Sequence, residues 1–108
     1  MKNSINTTQL HEINQHITAN LQDEHFNVHQ LSVLLNTSQR QLYRNIKALT
    51  QMTPHQYINQ IRFQKAYEYL QHKTYSTITD TAHAVGFKDA QYFSRQFKKR
   101  FGQLPSEV

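Results

Sequence analysis

The sequence contains no cysteine and only two glycines and two prolines among its 108 residues. Without cysteine there is no disulfide framework, no thiolate zinc site and no cysteine nucleophile. The shortage of glycine and proline argues against a loop-rich β-sandwich and against a glycine-rich loop that would hold a nucleotide. The apolar fraction is also low, at 37%, so any core must be built from narrow apolar stripes. These shortages favour helices.

Long apolar runs are missing as well. No stretch approaches the roughly 18 apolar residues that a membrane span needs, and residues 1–10 lack the apolar region of a signal peptide. We therefore expect a soluble, cytoplasmic protein with no membrane partner. Acidic residues are outnumbered, since 12 lysines and arginines against 7 aspartates and glutamates give a formal net charge of +5. Such a charge suits a polyanionic partner.

Apolar periodicity and capping residues predict six helices and no strand. The first helix is predicted over about residues 8–22 and the fourth over about 54–71, which at ~1.5 Å per residue is about 27 Å long. The other predicted helix starts are marked by N-terminal capping residues, namely Asn27 with Gln30, Ser38 with Gln41, Thr77 with Asp80, and Asp89. Thr53-Pro54 and Gln56 mark the start of the fourth helix, and Gly86 and Gly102 follow the last two.

The helices repeat as a unit. Residues Leu31-Ser32, Leu35-Asn36, Leu42, Arg44, Ile46-Lys47 and Pro54 recur as Thr81-Ala82, Val85-Gly86, Phe93, Arg95, Phe97-Lys98 and Pro105, at an offset of 50 before the turn and 51 after it. We therefore predict an all-α fold with two helix-turn-helix subdomains, over residues 8–52 and 73–108, joined by a long linker helix over 53–72.

The second helix of each unit has a buried stripe and an opposite polar face. The predicted stripes are Leu42, Ile46 and Leu49, and Phe93, Phe97 and Phe101. Arginine and glutamine on the polar faces form bidentate hydrogen bonds with guanine and adenine, while lysine, serine and helix N-termini suit phosphate. A single polar face is more often simply solvated. Its repetition on two helix-turn-helix frames indicates DNA binding.

The string VGFKDAQYFSRQFKKRFG at residues 85–102, with Leu42, Arg44 and Thr53-Pro54 of the first unit, resembles the AraC/XylS family of bacterial transcription regulators. The similarity extends over about residues 8–106. The resemblance implies two homeodomain-like three-helix units that bind an asymmetric site on one face of the duplex. Gln51 stands where the family usually has glycine, so the turn there is expected to differ slightly.

The resemblance also implies which residues contact DNA. By motif position, base contacts fall on Arg40, Tyr43 and Arg44 in the first unit and on Ala90, Gln91 and Arg95 in the second. Expected phosphate contacts are Ser38, Gln39, Lys47, Ser94, Lys98 and Lys99. Ala90 cannot form a side-chain hydrogen bond, but its methyl group can meet a thymine methyl. For Arg44 and Arg95 the alternative is an ion pair that ties two helices together.

Seven histidines raise the question of a metal site. His11 and His16 are separated by about 140° around a helix, so they cannot share an ion. His25 and His29 have a suitable spacing, but a predicted helix start lies between them. No Ser-His-Asp arrangement and no pair of carboxylates is evident. We therefore expect no metal, no cofactor and no enzymatic activity.

The predicted function is a sequence-specific transcription regulator. We expect its recognition helices, at about residues 38–49 and 90–101, to lie about one DNA turn (~34 Å) apart, so that a monomer binds adjacent major-groove segments unless a further domain dimerises it. The resemblance implies RNA polymerase as another partner and activation as the outcome. Two alternatives stay open: a DNA-binding output domain cut from a larger sensor or response regulator, and a protein-interaction module that has lost DNA binding.

Overall fold

The computed structural model describes residues 7–108, and no strand occurs in that range. Its helices are α1 (Thr7–Ala19), α2 (Val28–Leu34), α3 (Gln39–Thr50), α4 (Pro54–Gln71), α5 (Ile78–Ala84) and α6 (Ala90–Phe101), followed by a 3-10 helix (Pro105–Glu107). The all-α prediction is confirmed. No helix among these residues is long and apolar enough to cross a membrane. The first six residues of the segment tested for a signal peptide lie outside the described part of the chain.

Side-chain caps determine where the helices begin. At α2 the cap is reciprocal, because Asn27 Oδ1 accepts from the Gln30 N–H at 2.9 Å and the Asn27 N–H donates to Gln30 Oε1 at 3.0 Å. At α3 only half of the predicted box forms. Ser38 Oγ accepts from the Gln41 N–H at 3.0 Å, but the Gln41 side chain donates to Asn45 instead. Each cap contributes about 1 kcal/mol to the helix that it starts.

The described chain divides into two compact units. The first consists of residues 7–20 and 26–61, and the second of Leu21–His25 and Arg62–Val108. The division falls inside α4, so residues 54–61 pack in the first unit and 62–71 in the second. The linker helix therefore contributes core residues to both units instead of standing apart from them.

The core of the first unit is mostly aliphatic. Its most deeply buried side chains are Ile13, Ile17, Leu31, Leu42, Ile46 and Ile58. Tyr57 is also buried, and its hydroxyl donates to Asn14 Oδ1 at 2.6 Å. Burial raises the pKa of Tyr57 above its ordinary value, and the hydrogen bond to Asn14 opposes part of that rise. The phenol is thus held in its neutral form.

One prediction for the apolar face of α2 is wrong. The helical spacing of Val28, Leu31, Leu34 and Leu35 in the sequence predicts that these four residues form the apolar face. The Leu34 side chain is instead 47% exposed, while Ser32 is buried. Leu31, Leu35 and Ser32 lie within an arc of about 100° around the helix, and Leu34 lies outside it. The Ser32 hydroxyl is satisfied by the His29 carbonyl at 2.6 Å.

The core of the second unit is mostly aromatic. Phe63, Phe93 and Phe97 are buried together with small aliphatic residues. The rings of Phe63 and Phe93 stack with centroids 5.7 Å apart, and Phe93 and Phe97 are also 5.7 Å apart. Phe101 continues the row at 4.6 Å from Phe97. This row holds α6 by its buried stripe and leaves the other face of the helix free.

A buried arginine organises one side of the second unit. Arg62 is only 4% exposed, and its guanidinium donates to the carbonyls of Leu21 at 2.5 Å, Val85 at 2.6 Å and Asp23 at 3.0 Å. Burial lowers the pKa of Arg62, and the nearby Asp23 carboxylate opposes this shift. Gly86 has a φ of +91°, and a Cβ there would overlap the guanidinium and the Leu21 carbonyl. The arginine thus ties residues 21–23 to the end of α5.

Candidate nucleic-acid interface

The outward face of α3 carries five of the predicted DNA-contacting residues. Leu42 and Ile46 bury the opposite side of the helix. Because residues three and four apart share a helical face, the exposed side chains lie together, and they are Gln39, Arg40, Tyr43, Arg44 and Lys47. The predicted recognition face of the first unit is therefore present on the surface.

Three exposed arginines on the two recognition helices have no side-chain partner within residues 7–108. Among the described residues, the guanidinium groups of Arg40, Arg44 and Arg95 make no ion pair or hydrogen bond, and the ion pairs present there involve other residues. The first of these helices also lies in a stretch, residues 25–67, that contains no Asp or Glu. The alternative interpretation of Arg44 and Arg95 as ion-pair partners thus has no support in the structure.

A groove of about 730 Å³ runs beside α3 in the first unit. It is lined by Val28, Gln39, Arg40, Tyr43, Arg44, Thr53, Pro54 and His55. These residues come from the first turns of α2 and α4 and from the first two turns of α3. Free N–H groups at a helix start carry partial positive charge. The groove therefore combines two arginines with backbone ends that favour an anion.

The outward face of α6 has the same arrangement in the second unit. Asp89 Oδ1 caps the helix by accepting from the N–H groups of Gln91 at 2.9 Å and Tyr92 at 3.1 Å. Phe93 and Phe97 are buried on the opposite side. The predicted contact residues Gln91, Arg95, Lys98 and Lys99 are exposed, while Ala90 and Ser94 are half-buried.

The second unit has a groove beside α6 that matches the first by the sequence repeat. Its volume is about 510 Å³, and it is lined by Ile78, Thr79, Ala90, Gln91, Ser94, Arg95, Leu104, Pro105 and Ser106. Every residue that lines the first groove has its repeat equivalent in the second, at an offset of 50 for Val28 and 51 for the others. The repeat thus produces the same surface feature twice.

All six predicted base-contacting residues line these two grooves, but the predicted phosphate contacts divide. Gln39 and Ser94 lie in the grooves, whereas Ser38, Lys47, Lys98 and Lys99 do not. The Ser38 oxygen accepts from the backbone of α3, which leaves its hydroxyl hydrogen free. Lys47 Nζ lies 3.4 Å from the carbonyl oxygen of Gln51 at the end of its own helix.

Sequence reasoning missed the residues that other helices contribute to the grooves. Thr53 caps α4 by accepting from the Gln56 N–H at 3.2 Å, and His55 follows it along the groove wall. His29 Nδ1 lies 3.0 Å from the side-chain nitrogen of Gln39. The recurrence of Pro54 as Pro105 was the available signal, because it placed a helix start at the same point of both units.

The histidines do not assemble into a metal centre in the part of the chain that the structure describes. No group of three or more His, Cys, Asp or Glu side chains comes close enough there to hold an ion. His25 and His29, which have a suitable spacing in the sequence, contact different residues in the structure. His25 pairs with Glu24 at 3.1 Å, while His29 contacts Gln39.

Comparisons with known proteins identify the fold. A helix-turn-helix domain family matches residues 31–108. Histidine kinase P4 of Formosa agariphila is 36% identical over 88 residues, which is 82% of this chain but 6% of the kinase. The HTH-type transcriptional activator RhaS of Pectobacterium carotovorum subsp. carotovorum is 44% identical over 69 residues, which is 64% of this chain and 24% of the activator. The chain thus spans a small part of the length of both relatives.

A solved structure extends the similarity over both units. A transcriptional regulator from Chromobacterium violaceum, described as containing an AraC-type DNA-binding domain, has a TM-score of 0.82 and 26% identity. The alignment covers 93% of this chain and 88% of the other. The expectation drawn from the motifs at residues 31–54 and 85–102 is therefore confirmed. The chain belongs to the AraC/XylS family of helix-turn-helix DNA-binding domains.

Proposed function

We propose that the chain is the sequence-specific DNA-binding domain of a transcription regulator and that α3 and α6 each enter a major-groove segment. The observation that carries this proposal is the pair of repeat-equivalent grooves, each lined by a helix with at least one exposed arginine that has no ion-pair partner within residues 7–108. Placement of an exposed second helix in the major groove is how helix-turn-helix units recognise bases.

The proposed roles of the side chains follow from their positions in the family motif. Base contacts are assigned to Arg40, Tyr43, Arg44, Ala90, Gln91 and Arg95, which line the grooves. Phosphate contacts are assigned to Ser38, Gln39, Lys47, Ser94, Lys98 and Lys99. Four of the latter lie outside the grooves, as expected for groups that meet the sugar-phosphate backbone on either side of the base edges.

We further propose that one chain binds two adjacent segments in the cytoplasm, that RNA polymerase is a second partner, and that the domain has no enzymatic role. The 18 residues of α4 form a helix of about 27 Å, comparable with the ~34 Å of one DNA turn. The similarity to an activator, RhaS, supports contact with the transcription machinery.

A second candidate is that this domain is the output part of a larger sensor protein. The match to histidine kinase P4 favours it, because the chain corresponds to only 6% of that protein. DNA binding by α3 and α6 would be the same in either case. The third candidate, an interaction module without DNA binding, has no comparable support, since it leaves the unpaired arginines on both helices unexplained.

A band-shift titration on a pool of genomic fragments, at two salt concentrations, tests the proposal. Arg44→Ala should weaken specific binding by about 1–3 kcal/mol and relax the preference at one base pair. Lys98→Ala should weaken all sequences alike and reduce the salt slope by about 1. Lys65→Ala is the matched control, because Lys65 pairs with Glu68 on α4 and lines neither groove.

Two outcomes would contradict the proposal. If Arg44→Ala weakened binding to specific and random DNA equally, as is expected for Lys98→Ala, then Arg44 on α3 would not discriminate between bases. Absence of any retarded complex at low salt would favour the interaction module.

A further inference from the structure

The two grooves are lined by repeat-equivalent positions, but the side chains at these positions differ in chemistry. At the repeat-equivalent positions, Arg40 of the first unit is replaced by Gln91 in the second, and Gln39 is replaced by Ala90. Tyr43 is similarly replaced by a small residue, Ser94. Among the positions that α3 and α6 contribute to the grooves, only the arginine one turn further along, Arg44 or Arg95, is the same in both. The two recognition surfaces therefore present different sets of donors and acceptors to DNA.

The recognition surface of the first unit presents hydrogen-bond donors on two guanidinium groups. Arg40 and Arg44 are one helical turn apart, both exposed, and neither has a partner among the described residues. A guanidinium has five N–H donors and no acceptor. It matches the O6 and N7 acceptors of guanine but cannot satisfy the N6 amino group of adenine. Two such groups side by side favour two guanine-bearing base pairs.

The second surface presents a mixed donor and acceptor group beside a methyl group. The exposed Gln91 amide can donate to N7 and accept from N6 of adenine, which an arginine cannot do. The half-buried Ala90 offers only a methyl group at the groove wall, and the matching base feature is the C5 methyl of thymine. Arg95 is the single guanine-type contact of this surface.

We propose that the DNA site is chemically asymmetric: the segment bound by α3 contains two guanine-bearing pairs that face Arg40 and Arg44, and the segment bound by α6 contains A·T pairs that face Ala90 and Gln91, with one guanine at Arg95. This inference rests on the proposed function, since it names the DNA sequence class that each recognition helix selects. It also fixes the direction in which the protein lies on its site.

Selection of duplexes from a random pool by the full chain tests the asymmetry. The wild-type protein should enrich a sequence with two guanines in one segment and an A·T-containing second segment. Arg40→Gln should change one guanine position to adenine in the first segment, and Gln91→Arg should change one adenine position to guanine in the second. Each exchange should leave the preference of the other segment unchanged.

Affinity measurements on the selected duplexes give the size of the effect. Arg40→Gln should lower the affinity for the wild-type duplex by roughly 5- to 150-fold and recover most of it on the duplex with the single exchange. Lys98→Ala is the control, because it should weaken both duplexes by the same factor. Gln91→Arg creates a new preference, which a poorly folded variant cannot do.

Three results overturn the inference in distinguishable ways. If Arg40→Gln weakens all duplexes equally, Arg40 binds phosphate and the assignment of two guanines is wrong. If the selected segments have the same base composition, or if the exchanges change the opposite segments, the asymmetry is wrong while sequence-specific binding stands. If the chain binds DNA without enriching any sequence, the proposed function itself fails.

Discussion

The first unit is built on aliphatic side chains and the second on aromatic ones, yet both present the same groove beside an exposed helix. Where α3 buries Leu42 and Ile46, α6 buries Phe93 and Phe97 at repeat-equivalent positions. The buried neighbours of these rings include the small residues Ala66, Ala82 and Val85. Cores of different composition can support one fold when total volume and the pattern of burial are kept. The repeat therefore preserves which positions are buried and not which residues occupy them.

The backbone conformation of the turns is also the same in both units, although different residues adopt it. Asn36 and Gln51 of the first unit have left-handed conformations, with φ of 55° and 65°. Their repeat equivalents in the second unit are Gly86 and Gly102, with φ of 91° and 77°. Glycine adopts such angles without a steric penalty, whereas other L-residues do so at a cost of roughly 1–2 kcal/mol. The first unit thus keeps the turns at a greater energetic cost, and substitutions can test each difference.

The largest expected effect comes from Arg62, which has no counterpart in the first unit. Arg62→Met should destabilise the protein by about 3 kcal/mol or more, because the carbonyls of Leu21 and Val85 lose their donor inside the protein. Hydrogen exchange should show lost protection in α5 and α6 with much less change in α3. Lys65→Met, one turn away on α4 and half-buried, is the control. Equal loss of protection in both units would contradict the assignment of Arg62 to the second unit alone.

The next largest expected effect is a difference in stability cost between substitutions at the two glycines of the second unit. Gly86→Ala should cost more than the ~1–2 kcal/mol of a left-handed L-residue, because the new Cβ overlaps the Arg62 guanidinium. Gly102→Ala should cost about 1 kcal/mol, since nothing lies within 4 Å of its Cβ position. Urea denaturation measures both. In an Arg62→Met background the penalty at Gly86 should shrink and that at Gly102 should not. Unchanged penalties at both would rule out the overlap as the cause.

A further difference in stability is expected at alkaline pH, and it arises in the first unit. Its cause is the pKa of Tyr57, which burial raises above the ordinary value. A raised pKa in the folded state means that the contribution of Tyr57 to stability is complete below about pH 10, the ordinary tyrosine value, and is lost as the pH rises through the folded value. Tyr57→Phe should cost about 1 kcal/mol near neutral pH, because Asn14 loses its partner.

Melting temperatures of wild type and Tyr57→Phe at about pH 8 and about pH 11 test this prediction. The difference between the two proteins should narrow at the higher pH, because only the wild type has a phenol at residue 57 that ionises more readily in the unfolded chain than in the folded one. Tyr75→Phe, at an exposed position of the second unit, is the control and should give a small difference at both pH values. A difference for Tyr57→Phe that is constant with pH would show that the phenol does not couple to folding.

The comparison of the units also shows how much of the fold the sequence could predict. Helix starts were predictable because a cap is local: Asn27 and Thr53 each satisfy a backbone N–H only three residues away. The bounds of α4 were predicted correctly for the same reason. The exposure of Leu34 and the burial of Arg62 were not, since they depend on contacts with residues distant in sequence. Leu21, for instance, lies 41 positions from Arg62.

In the candidate site, too, local features could be predicted from the sequence, whereas contacts between distant residues could not. The exposed faces of α3 and α6 follow from the helical period and the buried stripes, so Arg44 and Arg95 could be placed on the surface in advance. The grooves could not, because their walls join α3 or α6 to the first turns of two other helices. Val28 and His55, which line one groove, are far apart in the sequence and meet only in the folded unit.

The smallest expected effect lies at Gln51, where the first unit keeps the turn without glycine. The Gln51 N–H donates to the Lys47 carbonyl at 2.9 Å, as the Gly102 N–H does to Lys98 at 2.8 Å, so the two turns close with the same hydrogen bond. Gln51→Gly should stabilise the protein by about 0.5–1 kcal/mol, because relief of the left-handed strain exceeds the greater chain entropy of an unfolded glycine. Asn36→Gly should gain less, since asparagine tolerates this conformation better.

Urea midpoints of both glycine variants, with wild type measured in parallel, decide the point. Gln51 lines neither groove, so DNA affinity should stay unchanged while the midpoint rises. A lower midpoint for Gln51→Gly would mean that the glutamine side chain contributes more to the folded state than its backbone strain removes. The first unit would then hold its turn by side-chain contacts and the second by glycine, which would extend the difference between their cores to their helix ends.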